Sequence, residues 1–244
     1  MKGGKHIHIG ASLRYGWRLT VKHMHTLVPG TLIFYLPELL DRLGMPVEGY
    51  GWFKTGFKSL VGCWLLWHAL QLSDQETRHS RIHEPTLPAP GYLGRFLAST
   101  ALFWGGLVLA LWPSLRVLSG TWRPSGMPAG LEWVAQPWGW SVDGALRLAG
   151  AGLLALPAAL WSVYGWFHGY YVADAGQGAW PSMVSSYHSV RGIFWKTTGF
   201  LIVIAALNAL GLALFFVGIF VAFPVTLMAT TFVHLELKRQ AQID

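Results

Sequence analysis

The stretch GIFWKTTGFLIVIAALNALGLALFFVGIFVAFPVTLMATTFVHLEL, residues 192–237, decides the fold. Its ionisable side chains, Lys196, His234 and Glu236, all lie near its ends, and it is far longer than the ~20 residues one helical membrane span needs. Two spans fit, at residues 194–212 and 217–235, with a turn at 213–216 bracketed by Gly211 and Gly218. Arg191 and Lys196 precede this hairpin, and Lys238 and Arg239 follow it. Both of its ends therefore belong on one basic side, which the positive-inside rule makes cytoplasmic.

Composition agrees with a membrane chain. Of 244 residues 53% are hydrophobic and only 12% charged, with a mean hydropathy of +0.40; soluble domains average about 25% charged. The net charge of +7 flanks apolar runs, so it reads as a topology signal and an attraction to anionic lipid headgroups, not as a nucleic-acid footprint. The single cysteine, Cys63, excludes an intrachain disulfide. The basic start from Met1 to Lys5 leads into an amphipathic segment, which does not fit a cleaved signal peptide.

Working outward, the loop ADAGQGAWPS and an amphipathic lead-in from Pro181 to Lys196 precede the hairpin. Before them comes a span at 145–168, opening on Gly144, Gly150, Ala151 and Gly152, small residues that let another helix approach closely. Further back, the spacing predicts spans at 95–115, 53–72 and 26–43. Polar or Gly/Pro-rich connections separate them, and an external loop from Arg116 to Asp143 carries Trp122, Trp133, Trp138 and Trp140. Residues 12–25 read as an interfacial helix: Leu13, Trp17, Val21 and Met24 form an apolar face, and Arg14, Arg18 and Lys22 a basic stripe. The expectation is an all-α polytopic membrane bundle of about six transmembrane helices plus two interfacial amphipathic helices. Arg14, Arg18, Lys22, Arg191 and Lys196 are its candidate headgroup contacts.

Of the 18 Lys and Arg residues, 12 fall on the segments this topology puts inside. The reading is a bacterial inner-membrane protein with both termini cytoplasmic. All ten histidines also fall at or near that side. Glu76, His79 and His83 have the i, i+3, i+7 spacing that places one carboxylate and two imidazoles on one helix face, as a first-row metal site requires. His68, His168 and His234 lie at similar depth on three helices, which admits axial ligation of a haem. The competing readings are a solvated loop and interfacial aromatics. Asn208, the clearest mid-span polar residue, reads as a hydrogen-bonding link between helices.

The run Asp174, Gly176, Ser185-Ser186-Tyr187, Val190-Arg191-Gly192 and Phe194-Trp195-Lys196, followed by Gly211, Gly218 and Pro224, resembles the membrane domain found on some bacterial glycerophosphodiester phosphodiesterases and its stand-alone relatives. The resemblance covers about Tyr171 to Leu237, and more faintly Ser12 to Val28. It implies a six-helix bundle with interfacial helices. It implies no hydrolysis, because the chain has no soluble barrel domain with metal-binding carboxylates.

No nucleophile elbow, zinc-protease helix, phosphate-binding loop or dinucleotide fingerprint occurs. The sequence therefore points first to a non-enzymatic membrane protein without a cofactor, an accessory or assembly subunit of a larger membrane complex. The alternatives are a haem- or metal-binding redox component and a small-molecule or lipid transporter. The prolines at 29, 113, 157 and 224 place kinks in four of the expected spans.

Overall fold

The 192–237 stretch forms two antiparallel helices, and the later of the two is the post on which the other elements lean. In the computed structural model, residues 6–42, 51–78, 91–118, 142–213 and 218–243 are described. They form α1 (Ile9–Lys22), α2 (Met24–Arg42), α3 (Gly51–Arg78), α4 (Tyr92–Leu118) and α5 (Val142–Leu154). After these come α6 (Leu156–Gly165), α7 (His168–Ala175), α8 (Ala179–Val190), α9 (Phe194–Ala213) and α10 (Ile219–Ile243). The fold is all-α, with no strand among the described residues. The hairpin turn, the tryptophan-rich loop, His79 and His83 lie wholly or largely outside those residues.

Four segments are long and apolar enough to cross a membrane: Tyr92–Leu118, Leu148–Ala175, Phe194–Ala213 and Ile219–Gln240. Their 20 to 28 residues, at about 1.5 Å each, match or exceed a hydrocarbon core of about 30 Å. This composition fits a membrane protein. The segments expected at 26–43 and 53–72, now α2 and α3, are not among the four. Pro29, Pro37 and Glu38 interrupt α2, and α3 carries Lys54 and Lys58 near its start and Asp74 and Glu76 near its end. Ion pairs clip α3 at both ends, to α2 at one and to α1 at the other. Glu38 of α2 meets Lys58 and, at 3.7 Å, Lys54 of α3. At the other end Glu76 of α3 accepts from Lys22 at 2.6 Å, with Arg18 at 3.7 Å.

Helix α10 packs against α1, α2, α3, α8 and α9. Its apolar segment is 56% buried, against 17 to 22% for the other three. Next to the turn Gly211 and Gly218 meet backbone to backbone: a β-carbon on Gly218 would lie 2.7 Å from the Gly211 carbonyl oxygen. Thr226, Thr230 and Thr231, downstream of Pro224, bond back to the carbonyls of Phe223, Thr226 and Leu227 at 2.7 to 2.9 Å. These bonds brace the turns next to the proline.

The amphipathic lead-ins differ from their expected form. α1 runs antiparallel along most of α10: His6 exchanges hydrogen bonds with Gln240, and Gly16 lies against Val225 and Ala229. Its buried face is Ser12, Gly16, Leu19 and Thr20, while Trp17, Val21 and Met24 are exposed. Small residues let two backbones approach closely, and bulky apolar ones can remain toward lipid. α8 repeats the pattern, burying Ser182, Ser186 and Ser189 with Met183 and Val190. The expected 145–168 span becomes α5, α6 and α7, continuing to Ala175, where Gly176 (φ 62) closes the helix in the left-handed conformation.

Candidate functional site, an interhelical cavity

The break between α6 and α7, at Trp166 and Phe167, creates the site. A broken helix in an apolar setting leaves backbone groups that need partners. Ser186 of α8 supplies both: its hydroxyl donates to the Tyr164 carbonyl at 2.6 Å and accepts from the Phe167 N–H at 3.1 Å. His168 adds a third bond, its Nδ1 lying 2.8 Å from the Gly165 carbonyl. Because the carbonyl only accepts, Nδ1 carries a proton, and in the neutral imidazole Nε2 is the acceptor. The imidazole stacks on Phe103 at 4.8 Å.

His168, Gly169 and Tyr170, just past the break, line a cavity of about 330 Å³ between α3, α4, α7, α9 and α10 that opens to the outside. This volume falls in the range of ligand sites, about 300–1,000 Å³. Leu66, Phe96, Phe103, Trp104, Ile204 and Phe223 make most of the wall apolar. A few polar groups converge in it. The Asn208 amide of α9 donates to the Thr226 hydroxyl of α10 at 3.2 Å, which is the helix-linking role expected of Asn208. Thr100 of α4 also lines it, with its hydroxyl oxygen buried and without a hydrogen-bond partner. Among the described residues no carboxylate, lysine or arginine lines the cavity.

Tyr170 joins the cavity to a polar cluster at its edge. Its ring stacks on His234 at 5.3 Å, and its hydroxyl reaches the Leu227 carbonyl at 3.5 Å. His234 is 1% exposed, enclosed also by Phe167 and Tyr171, and its Nε2 donates to Asp174 across 3.3 Å. Lys238 donates to the same carboxylate oxygen at 2.6 Å, and Tyr171 bonds Ser189.

The expected haem ligands thus have separate surroundings. His234 is held by Asp174, His168 by Gly165 and Phe103, and His68 stacks on Trp64 at 5.2 Å with its Nε2 buried and unpartnered. No group of three or more His, Cys, Asp or Glu residues able to hold a metal occurs among the described residues. Glu76, of the expected Glu76, His79 and His83 site, is engaged by Lys22, whose hydrogen bond holds its carboxyl below the usual value. Of the expected headgroup contacts, Arg14 and Arg191 are exposed. Arg18 and Lys22 turn to Glu76, and the Lys196 ammonium lies 2.9 Å from His6 Nδ1.

Sequence reasoning missed Thr100, and it gave Ser186 and Asp174 no role beyond carrying the resemblance. For Asp174 a signal existed: Gly176 is the residue that ends a helix, so Tyr170 and Asp174 share a face one turn apart. No family model, curated protein or solved structure matches the chain.

Proposed function

We propose that the protein is a non-enzymatic, six-span protein of the bacterial inner membrane, with both termini cytoplasmic, that carries a lipid or other small amphipathic molecule in the interhelical cavity. The observation that carries this reading is a concavity of about 330 Å³ whose wall is mostly apolar and in which Asn208, Thr226 and Thr230 bring polar groups together. Ligand sites commonly combine an apolar lining with a few convergent polar groups. α2 and α3, joined by the Glu38 ion pairs, supply the two further spans. The Lys and Arg distribution supports the orientation, and exposed Arg14 and Arg191 suit anionic headgroups. The likeness to the phosphodiesterase membrane domain supports a bundle of this kind and brings no hydrolytic residues with it. The test is extraction from native membranes into polymer-bounded discs, followed by mass spectrometry of the small molecules retained. A retained amphipath that Asn208→Leu loses supports the reading; the same lipid mixture in both preparations contradicts it.

A second reading, an accessory subunit of a larger membrane complex, is favoured by one observation. A β-carbon on Gly150 or Gly152 of α5 would meet nothing within 4 Å, so this small-residue face is open to another helix. Gly152→Phe should then shift the protein from a larger assembly to a smaller one on native gels.

A further inference from the structure

Away from the cavity, α6 and α8 leave between them a groove of about 490 Å³, lined by Leu160, Trp161, Tyr164, Met183, Val184 and Tyr187, among others. Helical spacing builds it: positions 157, 160, 161 and 164 make one stripe on α6, and 180, 183, 184 and 187 make the facing stripe on α8. Among the described residues no charged side chain lines it. The Trp161 indole N–H is already bonded to the Phe103 carbonyl at 2.9 Å. The α6 stripe belongs to the apolar segment Leu148–Ala175, so the groove opens onto hydrocarbon.

One end of the groove reaches the membrane boundary. The Tyr164 ring packs on Tyr187 at 4.9 Å and on Phe194 at 5.2 Å. Phe194 begins the apolar segment of α9, so Arg191, three residues before it, lies where hydrocarbon gives way to water. Arg191 follows Tyr187 by one helical turn, and its backbone N–H donates to the Tyr187 carbonyl at 2.9 Å. It is exposed, and its guanidinium has no hydrogen-bond or ion-pair partner among the described residues. Lys196 and Lys238, on α9 and α10, are by contrast engaged by His6 and Asp174.

We propose that this groove and Arg191 form a binding site for an anionic phospholipid, one acyl chain lying between α6 and α8 and the phosphate accepting from the Arg191 guanidinium. The site is independent of whatever the cavity holds. Its two halves come in the right order along one helix: the apolar stripe of α8 ends at Tyr187, and the next position on that face, four residues on, is Arg191. A planar guanidinium donates in pairs to phosphate oxygens. The two stripes flank a chain on two sides, which a single lipid-facing helix does not do. The ammonium of a zwitterionic head offsets its phosphate charge, so Arg191 selects a head without one. About 1 kcal/mol per basic residue at an anionic surface corresponds to a preference of about fivefold.

The test uses the full chain in phosphatidylcholine nanodiscs doped with a diazirine-tailed probe, either phosphatidylglycerol or phosphatidylcholine, with labelled residues mapped by mass spectrometry. Labelling of Met183 and Val184, measured against the exposed residues Leu109 and Ile202, should be about fivefold higher with the anionic probe. Arg191→Gln should bring the two probes level. Val184→Trp, which fills the groove, should remove the excess at Met183 and leave Leu109 and Ile202 labelled as before. Equal labelling by both probes in the parent would mean ordinary contact with bulk lipid and would overturn the site. An excess that survives Arg191→Gln overturns it as well, because the selecting charge then lies elsewhere.

Discussion

Gly16 of α1 lies so close to α10 that a β-carbon on it would fall 2.9 Å from the Ala229 backbone nitrogen and overlap the Val225 carbonyl oxygen. Neither atom can move without shifting the central helix. Overpacking of this kind costs about 1–3 kcal/mol or more. Gly16→Ala should therefore lower the melting temperature markedly. Gly10→Ala, where the β-carbon meets nothing within 4 Å, should leave it equal or higher, since alanine favours a helix by about 1 kcal/mol over glycine.

The same contact shows what could be read from the sequence. Apolar length is visible in one dimension, so α9 and α10 fall close to where the 192–237 stretch places them. The inward face of α1 was not legible, because lipid and protein interior are equally apolar and hydrophobicity does not tell them apart. Trp17, Val21 and Met24 dominate the apolar pattern yet face outward; Ser12, Gly16 and Thr20 look unremarkable and face inward. Asn208 stood out as a mid-span amide. The cavity did not, because Thr100, His168, Asn208 and Thr226 come from four helices that only the fold brings together.

Ser186 holds the α6–α7 break, so Ser186→Ala should leave the Phe167 N–H and the Tyr164 carbonyl without that partner. The expected loss is about 1–3 kcal/mol for the buried donor. Amide hydrogen exchange should rise at Phe167 and His168 and not in α4. Uniform exchange across the chain would argue against a local repair.

Asp174 accepts from both His234 and Lys238, and its removal orphans a buried imidazole. Asp174→Ala should cost about 1–3 kcal/mol. Lys238→Met should cost less, since the lysine is 37% exposed. A double-mutant cycle on the pair should give a coupling energy clearly different from zero; strict additivity would mean the contact contributes nothing.

Glu76 carries a pH dependence. Its hydrogen bond to Lys22 holds its folded pKa below the ordinary value of 4.5, so the unfolded chain takes up a proton first as pH falls. The stabilisation is fully present above 4.5 and is lost as pH drops through the lower folded value. The melting temperatures of the parent and Glu76→Gln should differ at neutral pH and converge in the acid range. A gap that widens on acidification would reverse the assigned sign.

Asn208→Leu tests the cavity most directly, because its effects on folding and on binding are read separately. Stripped of lipid in detergent, the variant should lose about 1 kcal/mol of stability with the bond to Thr226. Extracted from native membranes, it should have lost most of the amphipath that the parent retains. If Asn208→Leu retains that molecule in full, the amide meets no ligand and the cavity is not the binding site.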